Sequence, residues 1–411
     1  MALDRTATVA VVGASLAGLR AAEALRAEGH TGPVVMVGAE SHPPYDRPPL
    51  SKQFLAGTWD RDRIALRAPD KLAALDLDLR LGRVAVSLDV EGRVVELDDG
   101  TSVAFDGAVI ATGAQPRRLP DTAGVAGVHT LRTVEDSLAL AAAAGAGVRM
   151  VVVGAGFIGS EVAATCAGLG AEVSVVEALP VPLARVLGPV VGRACAALHA
   201  DHGVALHTGV GVAGLEVTGE GASPATAGRV TGVRLEDGRT LDADVVVVGI
   251  GVVPTTAWLQ GSGLEVADGV VAGPTLHCAP HVVAAGDVAR WFDRSVDALI
   301  RIEHWTNAAE QGAMAARNLL AGPEASQDYV PVPYVWSDQY DVKIQIIGHP
   351  GPDDDVVVVD GAIEEGRFVA LYGRAGRLTA ALGFSRPRQL MGYRPLLEQG
   401  ASFDEALARR P

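Results

Sequence analysis

The stretch MVVVGAGFIG ends an apolar run in three glycines, Gly154, Gly156 and Gly159. This is chemistry done by backbone. The first glycine permits a tight turn, the second lets the main chain approach a pyrophosphate, and the third lets helix and strand pack closely. A helix opening at Phe157 and Ile158 offers unpaired N–H groups and roughly half a positive charge to phosphate. The next strand, EVSVVEALP, closes on Glu177, whose carboxylate can accept both ribose hydroxyls. That acid repels a 2′-phosphate, and Ala178 and Leu179 bring no arginine to receive one. The pattern predicts NADH rather than NADPH.

A second glycine motif lies near the start of the chain. GASLAG holds Gly13 and Gly18, with Ser15 in place of the middle glycine and Leu16 and Ala17 opening the helix. The acid after its second strand, VVMVGAE, is Glu40, a candidate for an adenosine ribose. The first nucleotide is expected to be FAD. In AAGD, a strand ends in Gly286 and Asp287, which places a carboxylate within reach of a ribityl hydroxyl. Ala111, Thr112 and Gly113 form a similar close-approach element toward the adenine end.

These motifs imply the elements that position them, and the chain repeats its own plan. VELDDGTSVAFDGAVIATGAQP, ending at Pro116, matches VRLEDGRTLDADVVVVGIGVVP, ending at Pro254, with Gly113 aligned to Gly251. Gly251 is thereby a candidate on the NAD side. Each half reads as strand, glycine loop, helix, second strand, a meander turning at Asp-Gly, and a closing strand. The second copy is nested in the first, because PHVVAAGDVAR and the helical stretch after it have no counterpart between the repeats. The predicted class is α/β, with two Rossmann-like dinucleotide-binding domains in a glutathione-reductase-like arrangement plus a small α+β C-terminal domain. The expected boundaries are 1–116 with 246–325 for FAD, 117–245 for NADH, and 326–411 for the last domain. EGASPATAG, 220–228, reads as a hairpin loop.

The 411 residues are too many for one core. A net charge of −15 disfavours nucleic acid, which needs clustered Lys and Arg. No apolar run approaches the ~20 residues that span a bilayer. TATVAVVGAS enters a strand without the basic segment, long apolar core or cleavage site of a signal peptide, so a cytoplasmic protein is expected. Cys166, Cys195 and Cys278 form no C-x-x-C pair and read as small buried hydrophobes. PPYDRPPLSK, 43–52, is stiffened by four prolines and presents a lysine with no thiol nearby.

Taken together, YDRPPLSK, LRTVEDS, GAGFIGSEVAA, GIGVVP, AAGDVAR, IEHWTNAAEQG and WSDQY resemble the FAD-dependent, NADH-linked ferredoxin reductases that serve cytochromes P450 and aromatic-ring dioxygenases, the putidaredoxin reductase type. The resemblance covers nearly the whole chain. It implies that Lys52 stands beside the isoalloxazine, paired with Glu161 on the nucleotide-binding helix. It implies that Arg47 meets the FAD phosphates, and that Val84, through its backbone, and Arg132 contact FAD. Trp305 opens a helix whose N-terminus faces the flavin pyrimidine edge, and Trp336 packs near the flavin. The implied reaction passes a hydride from NADH to flavin N5 and then single electrons to a [2Fe-2S] ferredoxin. Such a route explains the missing thiol. His304 beside Trp305 is not required, since hydride transfer needs no proton shuttle there. A rubredoxin, a small organic acceptor such as monodehydroascorbate, or an NADH-sensing role like that of apoptosis-inducing factor remain alternatives. Arg290, Arg294, Arg301 and Arg317 are candidates for a docking patch, and the sequence leaves monomer and homodimer open.

Overall fold

The computed structural model describes residues 2–218 and 228–409. Its contacts group the chain into two compact units. The first is Met1–Asp46, Asp62–Gln115 and Val252–Pro331; the second is Arg47–Arg61, Pro116–Gly251 and Val332–Pro411.

The first unit is built on a six-stranded sheet in the order His277–Ala279, Val282–Ala284, Gly107–Ile110, Val9–Val12, Val34–Gly38, Asp78–Leu81. The last five strands run parallel, and only the His277 edge is antiparallel. Alternation along Val9–Val12 explains why every residue there is apolar. Val9 and Val11 enter one core cluster while Ala10 and Val12 enter another, so the strand is buried on both faces. The helices Leu16–Ala27 and Trp305–Ala321 cover one face with alanine-rich surfaces. Their backbones meet so closely that a Cβ on Gly312 would run into the Ala17 carbonyl.

The second unit holds a five-stranded parallel sheet in the order Ala205–Thr208, Glu172–Glu177, Arg149–Val153, Val245–Val248, Val128–His129. Val245–Val248 pairs along Met150–Val153, so a boundary at 246 would cut a strand of this sheet. The contacts put the return crossing at Gly251–Val252 instead, and they also assign Arg47–Arg61 to this unit. The hairpin loop expected at 220–228 lies, apart from Gly228, outside the described residues. The strands flanking it, Val212–Thr218 and Arg229–Leu235, pair antiparallel.

The C-terminal part of this unit is an antiparallel sheet in the order Tyr334–Gln339, Val342–Gly348, Arg377–Phe384, Arg367–Arg374, Asp355–Ala362. Its period of two sends Ile344, Ile346, Phe368, Ala370 and Tyr372 toward the helix Ala184–Asp201. It sends Ile347, Val369 and Leu371 toward the short terminal helices carrying Leu390, Tyr393 and Ala406. That longer helix is kinked at Gly188, just before Pro189, and the Tyr372 hydroxyl donates to the Leu187 carbonyl there at 3.1 Å. Among the described residues no helix is long and apolar enough to cross a membrane.

Candidate functional site

In the first unit the candidate residues converge at the C-terminal ends of the parallel strands, where open α/β sheets bind ligands. Gly13 has φ +124°, and a Cβ there would strike the Ala111 carbonyl. A Cβ on Gly18 would strike the carbonyl of Gly13. Gly286 has φ +78°, and its Cβ position lies 3.0 Å from the Ala17 methyl. Gly13, Ala17, Gly18, Ala111 and Gly286 therefore share one junction. Ser15 is the extended N-cap of the helix and makes no side-chain capping bond, which leaves the amides of Leu16, Ala17 and Gly18 for an external anion.

Thr112 donates its hydroxyl to the Thr255 carbonyl at 2.9 Å, and Thr255 N–H returns a bond to the Gly113 carbonyl at 2.9 Å. The Tyr45 hydroxyl donates to the Glu40 carboxylate. Trp305 Nε1 donates to Asp46 at 2.7 Å. Val84 differs from expectation in one respect: its N–H is already donated to Asp98 Oδ1 at 3.0 Å, and its carbonyl accepts Asp98 N–H at 2.9 Å. Only the second lone pair of that carbonyl is left for another donor. The 3₁₀ turn Gly286–Val288 is braced from behind, since Gly286 N–H donates to buried Gln311 at 2.8 Å.

In the second unit the three glycines of GAGFIG carry three different constraints. Gly154 has φ +101°, and a Cβ there would strike the Gly249 carbonyl. A Cβ on Gly159 would strike the Gly154 carbonyl. A Cβ on Gly156 would meet nothing within 4 Å. The middle glycine is thus not demanded by packing; it keeps space open above the helix that starts at Phe157 and Ile158, and this fits a pyrophosphate. Glu177 Oε2 accepts Ala155 N–H at 2.8 Å and Oε1 accepts Leu179 N–H at 2.9 Å. The carboxylate therefore fixes the glycine loop and keeps a lone pair on each oxygen for a ribose. Gly251, φ +96°, accepts Arg117 N–H at 2.9 Å, while Gly249 is the residue that touches the glycine turn.

The proline-rich stretch folds as a 3₁₀ turn, Pro48–Ser51, ending at Lys52. Side chains from two helices hold its carbonyls: Ser137 donates to Leu50 and Thr165 to Ser51, each at 2.8 Å. Lys52 is thereby aimed at Glu161, one turn before Thr165 on the helix Phe157–Gly168. The pair lies 3.2 Å apart, with side chains 10% and 7% exposed. Glu161 also accepts the Ser51 hydroxyl at 2.5 Å, the Ser337 hydroxyl at 2.7 Å and Asp338 N–H at 3.3 Å. This saturated coordination is what a buried carboxylate needs. Arg47 donates to the Arg132 carbonyl at 2.5 Å, and Arg132 precedes a capping box of Thr133 and Asp136. Trp336 stacks on Tyr334 with centroids 6.0 Å apart.

Sequence reading missed Ser51, Ser337 and Asp338, although all three lie inside the quoted motifs. The arginine patch differs from expectation: Arg294 pairs with Asp328, Arg301 with Asp268 and Glu303, and Arg317 with Glu28. Their charge is compensated locally. Cys166 and Cys195 are buried and Cys278 half-buried, all as free thiols, and burial pushes each thiol up to about 12. None is a nucleophile at neutral pH.

Comparison with known proteins agrees with this geometry. Residues 7–312 match the pyridine nucleotide-disulphide oxidoreductase family and residues 334–411 match the reductase C-terminal family. The chain is 36% identical over 392 residues to rhodocoxin reductase of Rhodococcus erythropolis, covering 95% of this chain and 89% of that protein. It is 38% identical over 398 residues to the ferredoxin–NAD(+) reductase component of the anthranilate 1,2-dioxygenase system of Burkholderia cepacia, covering 96% and 95%. Its fold matches a chain of the covalent putidaredoxin reductase–putidaredoxin complex with a TM-score of 0.91 and 31% identity, covering 99% and 96%. The chain belongs to the pyridine nucleotide-disulphide oxidoreductase family, and it is an oxidoreductase of the ferredoxin-reductase type within it.

Proposed function

We propose that this protein is an NADH-dependent, FAD-containing reductase that delivers single electrons to a [2Fe-2S] ferredoxin serving a cytochrome P450 or a ring-hydroxylating dioxygenase. The observation that carries this reading is the lysine of PPLSK, held by buried Glu161 in a chain whose three thiols stay protonated. A two-electron thiol relay has no sulfur to use, whereas charge compensation by a fixed ammonium serves a carrier that accumulates negative charge. The relatives' names support ferredoxin as the acceptor.

A bound flavin supplies the chemistry of accepting a hydride and releasing electrons one at a time. The chain's own residues bind and orient. The amides opening at Ser15 would take the FAD pyrophosphate and Glu40 the adenosine ribose, and Arg47 is a further candidate for the phosphates. Gly113, Val84 and Arg132 line the cofactor, and Asp287 takes a ribityl hydroxyl. Lys52 would supply positive charge to the isoalloxazine, with Glu161 fixing the ammonium, and Trp305 and Trp336 are aromatic candidates for contact with a bound flavin. Gly154, Gly156, Gly159 and Gly251 with Glu177 hold NADH. On this reading 1–116 with the segment returning at Val252 form the FAD domain, the span from 117 through the strand Val245–Val248 the NADH domain, and 326–411 the C-terminal domain.

The test is NADH-driven reduction of cytochrome c by the FAD-loaded protein, with and without a [2Fe-2S] ferredoxin. Strong dependence on the ferredoxin is expected. Rapid flavin bleaching by NADH without stimulation by several ferredoxins overturns the acceptor assignment and points to rubredoxin, a small organic acceptor or a sensing role.

A further inference from the structure

Lys52 has a second carboxylate neighbour that the pair with Glu161 does not account for. Asp338 Oδ2 lies 3.8 Å from Lys52 Nζ. Its other oxygen, Oδ1, lies 3.4 Å from Lys343 Nζ. The four groups grade outward from the interior: Glu161 is 7% exposed, Lys52 10%, Asp338 31% and Lys343 51%. Both acids are tied to each other as well, because Asp338 N–H donates to Glu161 Oε1. Glu161 alone balances the charge on Lys52. Asp338 is therefore a surplus negative charge beside the ammonium, balanced among the described residues by a half-exposed lysine on the neighbouring strand Val342–Gly348.

We propose that Asp338 is a positioning residue for Lys52, and that Lys343 sets how much of the Lys52 charge reaches the bound flavin. The proposal rests on the reading that Lys52 serves the flavin. When Lys343 holds Asp338, the Lys52 field is screened by one carboxylate. When Lys343 is neutralised, Lys52 is the cation left beside Asp338 among the described residues, and the full charge of the carboxylate falls on it. A weaker positive field disfavours the added negative charge of the reduced flavin. The flavin then becomes the stronger electron donor. Lys343 is exposed enough for an outside anion to do this, while Lys52 is not.

The experiment is the two-electron reduction potential of the holoenzyme, measured by dye equilibration, for wild type, Asp338→Asn, Lys343→Gln and Lys52→Met. Asp338→Asn is expected to raise the potential and Lys343→Gln to lower it. Opposite signs from two contacting residues are not produced by a general loosening of the fold, which moves both the same way. If Lys52→Met lowers the potential while Asp338→Asn and Lys343→Gln shift it together or leave it at the wild-type value, the proposal is overturned and the role of Lys52 stands. If Lys52→Met leaves the potential unchanged, the reading beneath the proposal falls with it. Asp338→Glu, which keeps the charge, is the conservative control and is expected to return the potential toward wild type; failure to do so overturns an electrostatic role.

Discussion

Replacing Glu161 tests whether the lysine is energetically coupled to its acid or merely near it. At 3.2 Å and an effective dielectric of about 20, the gross attraction in the pair is about 5 kcal/mol, most of it offset by the cost of taking both charges out of water. Glu161→Ala strips Lys52, two hydroxyls and the Asp338 N–H of their acceptor at once. Breaking one side of a buried pair costs about 3–5 kcal/mol, and Asp338 at 3.8 Å keeps Lys52 partly paired, so the loss should fall near the lower end. Glu161→Gln keeps an acceptor for the serines and loses the charge, which should cost about 2 kcal/mol. The clean measurement is a double-mutant cycle of Glu161→Gln with Lys52→Met, read from urea unfolding at one cofactor concentration. The m-values must agree, because a chain of two units need not unfold in one step. A coupling of about 1–3 kcal/mol is expected. Additivity within about 0.5 kcal/mol refutes the reasoning, since two groups that do not feel each other cannot constitute a charge-compensating site.

Other outcomes follow from the same geometry. Gly156→Ala should leave the unfolding midpoint within about 0.5 kcal/mol of wild type yet raise the NADH dissociation constant about tenfold, because its methyl enters space kept for phosphate. Gly159→Ala, which meets a carbonyl, should instead lower stability; calorimetry and NADH titration separate the two. Burial lowers His199 to about 4, from an ordinary value near 6.5 in the unfolded chain. Its neutral form donates or accepts at Tyr340 and Ser160, so its contribution is complete above pH 6.5 and lost as pH falls toward 4. The loss amounts to about 3 kcal/mol, and His199→Gln should flatten that limb of a stability–pH curve. The two buried cysteines, Cys166 and Cys195, should react with a thiol reagent only as fast as the fold opens; labelling of both in the native protein within seconds would contradict their burial.

The glycine motifs were legible because their constraints are local. A φ above +90° at Gly154 and a carbonyl in the way at Gly159 are written within six residues of chain. The valine runs were legible because a strand buried on both faces has no polar position. Glu161 was legible only through resemblance, since an acid one turn into a helix has no local signature. Ser51, Ser337 and Asp338 reach it from segments far apart in sequence, and no spacing encodes that meeting. The same non-locality misled in the other direction. Arg294, Arg301 and Arg317 read as candidates for a docking patch, because the distant partners Asp328, Asp268 and Glu28 are not their neighbours in the chain. The place of the return crossing is set by the same kind of distant pairing, for the alternation in VVVVGIGVVP does not say which sheet Val245–Val248 will join.

The packing of the C-terminal sheet bears on how this chain could be recombined with its relatives. Family matching divides it neatly near residue 334. Yet Phe368, Ala370 and Tyr372 owe their cover to Leu187, Val191 and Cys195 on a helix almost two hundred residues upstream. A chimera spliced at that seam inherits a sheet dressed on one side only, with a large apolar face turned to water. Grafts that exchange acceptor preference should therefore carry the Ala184–Asp201 helix and the sheet as one heritable block, and libraries cut elsewhere should be depleted of soluble members.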